Sequence, residues 1–107
     1  LLTKDDGCIR WEDSSNAIYN RYRGVLAWPG SWTMFRNDTL KIIELEKSSR
    51  NGSQGQILEV SKEGVLVAAA EGSVLLKIVQ PPNKPKISAF DWANGYQVKI
   101  GESFSNG

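Results

Sequence analysis

Residues 56–79, QILEVSKEGVLVAAAEGSVLLKIV, carry the strongest strand signal in this chain of 107 residues. Apolar and β-branched residues dominate three short runs within it. These runs predict strands at residues 56–60, 65–70 and 73–79. Short segments at 62–64 and 71–72 separate the runs, and each contains a glycine that tolerates the positive φ of a tight turn. The stretch therefore predicts a meander of three strands.

Two further strands are predicted upstream of this meander, at residues 32–36 and 40–47. Asn37 and Asp38 lie between them and suit the two-residue turn of a hairpin. In the second strand the apolar positions change face after Ile42, which predicts a β-bulge, because a bulge inserts one residue and reverses the alternation.

A helix is predicted over residues 15–24. Its apolar residues recur at i, i+4, i+7 and i+8, and they are Ile18, Tyr22, Val25 and Leu26. Four residues suited to the N-cap stand at its start, namely Asp13, Ser14, Ser15 and Asn16. Gly24 and Pro29 bound the helix on its C-terminal side.

The part of the chain that follows the meander begins with prolines that end the sheet, since proline cannot donate to a strand ladder. They are Pro81, Pro82 and Pro85. Ser88 suits the N-cap of a second, short helix that ends at Gly95. Tyr96, Val98 and Ile100 then alternate with polar residues, which predicts a sixth strand.

These elements predict a mainly β fold. Five or six short strands in so small a domain bury their apolar faces together most simply as a small, bulged barrel that resembles an OB-fold. One N-terminal helix and one short C-terminal helix flank it. A two-layer sandwich is the structural alternative.

The composition excludes several kinds of chemistry. The chain has no histidine, so histidine-dependent triads and the usual zinc sites are excluded. Its one cysteine, Cys8, indicates a surface or half-buried thiol in a reducing compartment. No apolar run approaches the ~20 residues of a membrane span, and we expect no membrane association. The chain begins without methionine, so we expect it to be part of a longer protein.

The carboxylates do not suggest a catalytic or metal site. Glu44 and Glu46 share one face of a strand and are expected on its solvated side. Asp5 and Asp6 lie in a linker-like segment without the further acids that a calcium site needs. We therefore predict no catalytic residue, no cofactor-binding residue and no metal ligand in this chain.

The basic residues are the more informative candidates. Lys84 and Lys86 bracket a proline in one loop, and Arg36 and Lys41 lie on the two strands of one hairpin. Such side chains pair with phosphates, and each adds a modest, salt-sensitive attraction. With 13 Lys and Arg against 12 Asp and Glu, the net charge of +1 equally fits an ordinary solvated surface.

Two tryptophans near the helix-to-strand connection allow both a functional and a structural interpretation. Trp28 and Trp32 flank Pro29-Gly30. They suit either platforms on which bases stack or a packed corner that fixes the connection.

Taken in order, ten segments of the chain resemble the C-terminal domain of the methionyl-tRNA formyltransferase family. They are Leu2–Asp6, Ile9–Trp11, Tyr22-Arg23, Trp28–Thr33, Leu40–Ile42, Gly55–Leu58, Gly64–Ala68, Gln80-Pro81, Lys84–Ala89 and Gly101–Phe104. The chain departs from the family's pattern at Tyr19, where relatives often carry histidine, and at Gly24–Ala27.

The resemblance implies a division of labour. In this family a preceding α/β domain uses an Asn, a His and an Asp to transfer the formyl group of 10-formyltetrahydrofolate to initiator methionyl-tRNA. The resemblance then divides this chain into the end of a linker from that catalytic domain at residues 1–13, the barrel domain at 14–104 and a tail at 105–107. It implies a monomeric protein of the cytoplasm, with an organelle matrix as the alternative.

The same resemblance implies that the barrel's basic surface helps to hold the tRNA. By position, the candidate tRNA-binding residues are Arg23, Lys41, Lys84 and Lys86, although Arg23 is also placed to anchor the helix or a domain interface. Two rival functions stay open. One is the equivalent accessory domain of another 10-formyltetrahydrofolate-dependent formyltransferase or hydrolase, and the other is a non-catalytic interaction module.

Overall fold

The computed structural model describes residues 1–106, and its secondary structure confirms a mainly β fold with two helices. A 3₁₀ turn at Lys4–Gly7 precedes the regular elements. In chain order these are α1 (Ser15–Gly24), β1 (Ser31–Phe35), β2 (Asp38–Ser48), β3 (Ile57–Ser61), β4 (Gly64–Ala68), β5 (Ser73–Gln80), β6 (Ile87–Ser88) and α2 (Ala89–Gly95).

All six strands belong to one antiparallel sheet. The order along the sheet is β1-β2-β5-β4-β3, and the two-residue β6 pairs with the end of β5. The meander predicted from residues 56–79 is present as β3, β4 and β5. The likeness to an OB-fold stays a prediction.

The sixth strand is β6, and the strand predicted from Tyr96, Val98 and Ile100 is wrong. Tyr96 and Ile100 lie in turns after α2, and Val98 lies in irregular backbone between them. The Tyr96 amide donates to the Trp92 carbonyl at 3.0 Å and the Val98 amide to the Ala93 carbonyl at 2.8 Å, so these groups are used within the helix end. The alternation had no neighbouring strand to pair with.

The hairpin between β1 and β2 turns one residue earlier than predicted. Phe35 pairs with Asp38, so the two loop residues are Arg36 and Asn37. Both have positive φ, at 50° and 68°, as a type I′ turn requires. The bulge in β2 is confirmed, because the register with β5 shifts on both sides of Glu44.

The C-terminal segment 101–105 joins the two ends of the sheet. On the β1 side, Met34 and Ser105 exchange backbone hydrogen bonds of 3.1 and 3.0 Å. On the β3 side, the Ile57 amide donates to the Glu102 carbonyl at 2.8 Å, and the Phe104 amide donates to the Gly55 carbonyl at 2.7 Å. We call this segment the closing segment, since it supplies partners to backbone groups at both ends of the sheet.

Phe104 anchors the closing segment in the core. The side chain is 4% exposed, and its ring centroid lies 4.9 Å from that of Phe35, 5.7 Å from that of Trp11 and 6.0 Å from that of Trp92. Gly55 allows this approach, because it has a φ of 79° and a Cβ there would lie 2.7 Å from the Phe104 carbonyl oxygen.

A buried polar chain holds the same region together. The Trp11 indole N–H donates to the Thr33 hydroxyl at 3.0 Å, and that hydroxyl donates to the Ser105 carbonyl at 2.9 Å. Thr33 is fully buried, so these bonds satisfy a hydroxyl that water does not reach.

The helix α1 has the predicted bounds, and the Ser14 hydroxyl caps it by accepting from the Ala17 amide at 3.1 Å. The helix packs against β2. Its Tyr22 hydroxyl donates to the carbonyl of Ile43 at 3.4 Å, one residue past the last β2 residue that pairs with β1. Of the predicted apolar face, Ile18 and Val25 are buried and Tyr22 is partly buried against the core, whereas Leu26 is exposed.

The assignment of residues 1–13 as the end of a linker stays a prediction. Within that segment Ile9 and Trp11 are buried, and the Ile9 amide donates to the Trp32 carbonyl at 2.8 Å. Within the predicted tail, Ser105 belongs to the closing segment, and the Asn106 amide side chain bonds to Glu12 at 2.7 Å. Gly107 lies outside the described residues.

An ion pair ties the β1–β2 hairpin to the closing segment. The Arg36 guanidinium donates to both carboxylate oxygens of Glu102, at 2.9 and 2.8 Å, and to the Tyr96 carbonyl at 2.8 Å. The hydrogen bonds from Arg36 hold the pKa of Glu102 below its ordinary value of 4.5, because they favour the ionised carboxylate.

Neither helix within residues 1–106 is long and apolar enough to cross a membrane.

Truncation of the core anchor tests the role of the closing segment. We expect Phe104→Ala to lower the free energy of unfolding by about 3–5 kcal/mol, as large-to-small aromatic substitutions in cores do. Urea denaturation monitored by tryptophan fluorescence measures it. Ile100→Ala is the matched control, because Ile100 is 66% exposed and should change stability by less than about 0.5 kcal/mol. Equal effects of the two substitutions would contradict the anchoring role.

The Arg36–Glu102 pair predicts a pH dependence of stability. Because the pKa of Glu102 is lower in the folded chain than in the unfolded chain, its stabilisation is present above the ordinary pKa and is lost as the pH falls through the folded value. We expect Glu102→Gln to lower the urea midpoint at neutral pH and to approach wild type as the pH falls progressively below the ordinary value of 4.5. The exposed Glu44→Gln is the control, and a Glu102→Gln deficit that persists unchanged in acid would refute the ion pair.

Candidate functional site

Two of the predicted tRNA-binding residues, Lys41 and Lys84, line one surface groove of about 350 Å³. We call it the basic groove. Its lining residues are Thr39, Lys41, Gln80, Pro81, Pro82, Asn83 and Lys84. Both lysines are exposed, so their ammonium groups are open to a ligand in solvent.

Gln80 connects the two lysines of the basic groove. Lys41 on β2 is the register partner of Gln80 on β5, which places their side chains on the same face of the sheet. The Gln80 side-chain amide donates to the Lys84 carbonyl at 2.9 Å, and the Lys84 amide donates to the Pro81 carbonyl at 3.3 Å. The loop that carries Lys84 is therefore fixed to the strand opposite Lys41.

The other two candidates lie outside this groove's lining. Lys86 is exposed in the same loop, two residues after Lys84 and next to β6. Arg23 lies in the last turn of α1, with its guanidinium carbon 5.8 Å from the centroid of the Tyr19 ring.

Arg23 has a basic neighbour that the sequence did not reveal. The Lys47 ammonium lies 5.2 Å from the centroid of the same Tyr19 ring and donates to the Asn16 side chain at 2.9 Å. Lys47 is 24 positions away along the chain, so spacing gave no signal. The Tyr19 ring is thus contacted by two cations.

Arg36, on the same hairpin as Lys41, lies outside the lining of the basic groove. Its guanidinium binds Glu102 and the Tyr96 carbonyl, and so it serves the fold. Position on the same hairpin brought the two backbones close but did not fix the direction of the long side chain.

A second, smaller cavity adjoins the basic groove through Thr39, Pro81 and Pro82, which line both. Its volume is about 100 Å³, and we call it the aromatic pocket. Its remaining lining residues are Phe35, Arg36, Asp38, Leu40, Trp92 and Tyr96. The sequence missed this pocket because its wall at Tyr96 had been assigned to a strand.

The two tryptophans of the α1–β1 connection differ in role. Trp32 is half-buried and its indole N–H donates to the Lys4 carbonyl at 3.0 Å, as expected of a packed corner. Trp28 is 57% exposed, so the packed-corner interpretation does not hold for it.

The pKa shifts of three side chains disfavour proton donation or nucleophilic attack by those side chains. Hydrogen bonds from Asn106 and Arg36 lower the pKa values of Glu12 and Glu102, which makes these carboxyls poor proton donors at neutral pH. Burial raises the pKa of the Cys8 thiol and disfavours the nucleophilic thiolate. Among residues 1–106 no three His, Cys, Asp or Glu side chains are grouped so as to hold a metal.

Curated relatives match nearly the whole chain. The methionyl-tRNA formyltransferase of Deinococcus radiodurans is 39% identical over 97% of this chain and 33% of its own length. That of Thermus thermophilus is 38% identical over 94% of this chain and 33% of its own. The chain therefore spans about a third of the length of these relatives.

A solved structure shares the fold. HypX from Aquifex aeolicus, crystallised in complex with tetrahydrofolic acid, superimposes with a TM-score of 0.77 over 95% of this chain and 19% of its own. The identity is 13%, so this likeness concerns the fold alone. The family described as "Formyl transferase, C-terminal domain" matches residues 1–97. With that match over most of its length, the chain belongs to the formyl transferase C-terminal domain family.

Proposed function

We propose that this chain is the C-terminal domain of a methionyl-tRNA formyltransferase and that its basic groove helps to hold the initiator methionyl-tRNA. The observation that carries the proposal is the pairing of Lys41 and Lys84 in one groove, from two segments that are separated in sequence and joined through Gln80. The names of the relatives supply the RNA as the ligand.

Lysine side chains at these positions suit a phosphate backbone. An ammonium group acts as a flexible point charge that binds phosphate oxygens without reading sequence. Each neutralised phosphate releases counterions, so the affinity falls as salt rises. With a net charge of only +1, the domain alone should bind weakly and add to contacts made elsewhere in the protein.

The proposal assigns the chemistry to a preceding domain. That domain would hold 10-formyltetrahydrofolate as the formyl donor and carry the catalytic residues, while this chain positions the acceptor. We further propose that the catalytic domain belongs to the same chain, that the protein is a monomer, and that it is located in the cytoplasm or an organelle matrix.

Lys86 and Arg23 extend the proposed contact surface. Lys86 would meet a neighbouring phosphate, because it lies two residues from Lys84 in the same exposed loop. Arg23, with Lys47 beside the Tyr19 ring, would form a separate basic point on the α1 side.

Removal of the groove charges tests the proposal. We expect the double substitution Lys41→Gln with Lys84→Gln to weaken binding of initiator methionyl-tRNA and to reduce the slope of log K against log salt by about two, one for each phosphate contact. Lys86→Gln and Arg23→Gln should each reduce the slope by about one. Fluorescence anisotropy with labelled tRNA, between about 50 and 200 mM salt, gives both quantities.

The matched control removes two charges elsewhere. Lys62 and Lys99 are exposed and lie outside the basic groove, so Lys62→Gln with Lys99→Gln should leave the slope nearly unchanged. If the two double variants lose affinity equally, only net charge matters and the groove assignment fails.

A further inference from the structure

The aromatic pocket is an apolar cavity that no part of the proposed phosphate contact uses. Buried Phe35, Leu40 and Trp92 form its floor, and exposed Pro82 and Tyr96 form its rim. Its volume of about 100 Å³ is several times the ~30 Å³ of a water molecule and is of the order of a cavity that binds one aromatic ring.

The walls of the pocket are held in place before any ligand arrives. The Tyr96 amide donates to the Trp92 carbonyl at 3.0 Å, and the Tyr96 carbonyl accepts from Arg36 at 2.8 Å. The Tyr96 ring lies 5.9 Å from the Trp92 ring, and Trp92 packs edge-on against Phe35 at 5.1 Å. A ligand would therefore lose little affinity to ordering of the site.

The polar groups at the pocket narrow the class of ligand. Asp38 supplies a carboxylate that accepts hydrogen bonds, as the amino and imino groups of nucleobases require. The basic groove begins at the shared residues Thr39, Pro81 and Pro82, with Lys41 and Lys84 beyond them. An aromatic cavity next to two cations matches the parts of one nucleotide, a flat base and its phosphate.

We infer that the aromatic pocket binds one unpaired nucleobase of an RNA whose backbone lies along Lys41 and Lys84. The inference rests on the proposed function and deepens it, because it selects a part of the RNA where a base is free of its helix. Bases in A-form duplexes are hidden from side chains, whereas unpaired bases can be splayed out and stacked on aromatic rings.

The test separates the contribution of the base to the binding affinity from that of the phosphates. It uses two fluorescein-labelled probes of about ten nucleotides, within the usual site size for single strands. One is an oligouridylate and the other is an abasic ribose-phosphate chain with the same number of phosphates. Fluorescence anisotropy gives the dissociation constants of both probes for this chain and its variants.

We expect the wild-type chain to bind the base-bearing probe about tenfold more tightly than the abasic probe, in the range that stacking of one base gives. Tyr96→Ala should reduce the preference to less than about twofold and leave the affinity for the abasic probe unchanged. Tyr96 is 42% exposed, so the substitution should not unfold the chain. Tyr96→Phe, which keeps the ring, should retain the preference.

Two further variants test whether the preference for the base-bearing probe depends on the Tyr96 ring. Tyr96→Leu keeps most of the side-chain volume but has no aromatic ring, so it should also lose the preference for the base-bearing probe. This variant serves as the test if the alanine variant is unstable. Trp28→Ala removes an exposed ring outside the pocket and should retain the preference.

The inference is overturned if wild type binds both probes equally, if Tyr96→Ala and Tyr96→Leu keep the preference, or if Trp28→Ala removes it. A different result would contradict the proposed function. It is contradicted if Lys41→Gln with Lys84→Gln leaves the affinity for the abasic probe intact, whatever the base preference.

Discussion

The closing segment 101–105 pairs with β1 through Ser105 and with the start of β3 through Glu102 and Phe104. Without it, backbone groups at both ends of the sheet would need other partners, and the ring cluster beneath would open to solvent. Phe104 supplies the apolar anchor for this closure, since burial of an aromatic ring is among the largest single contributions to stability in a small domain.

The rim of the aromatic pocket is linked to that closure through Arg36. Arg36 binds Glu102 of the closing segment and the carbonyl of Tyr96, so the hairpin turn and the rim of the aromatic pocket share one anchor. The basic groove lies next to them on the β2–β5 pair. Both lysines are thus presented by ordered backbone, one on a strand and the other on a loop that the Gln80 side chain holds.

Local signals in the sequence predicted most of the elements. The bounds of α1 followed from the apolar spacing and the candidate caps, and the short helix after Ser88 followed from its capping residue. The slip of apolar parity after Ile42 correctly predicted the bulge. In each case the sequence signal lies within a few residues along the chain.

The wrong or missing predictions concern contacts between residues that are far apart along the chain. The alternation of Tyr96, Val98 and Ile100 looked like a strand, but pairing depends on a partner that sequence alone does not supply. The Arg36–Glu102 pair joins residues 66 positions apart, so the direction of the Arg36 side chain could not be read from the hairpin.

The same distinction applies to the candidate site. Lys41 and Lys84 were named separately, and only the β2–β5 register and the Gln80 bond bring them into one groove. Lys47 escaped notice because it meets Arg23 only through the ring of Tyr19. The resemblance to a family named individual basic residues as candidates, whereas the fold decides which of them line one groove.

We propose that the basic groove is the surface that meets the tRNA. The most direct measurement is a titration of the ¹⁵N-labelled chain with initiator methionyl-tRNA, followed by amide chemical shifts in solution NMR. We expect the shift changes to concentrate at the amides of residues 39–41, 80, 83 and 84, since Pro81 and Pro82 carry no amide proton. Changes concentrated instead around Arg50, Glu59 and Lys62, with the groove amides unmoved, would contradict it.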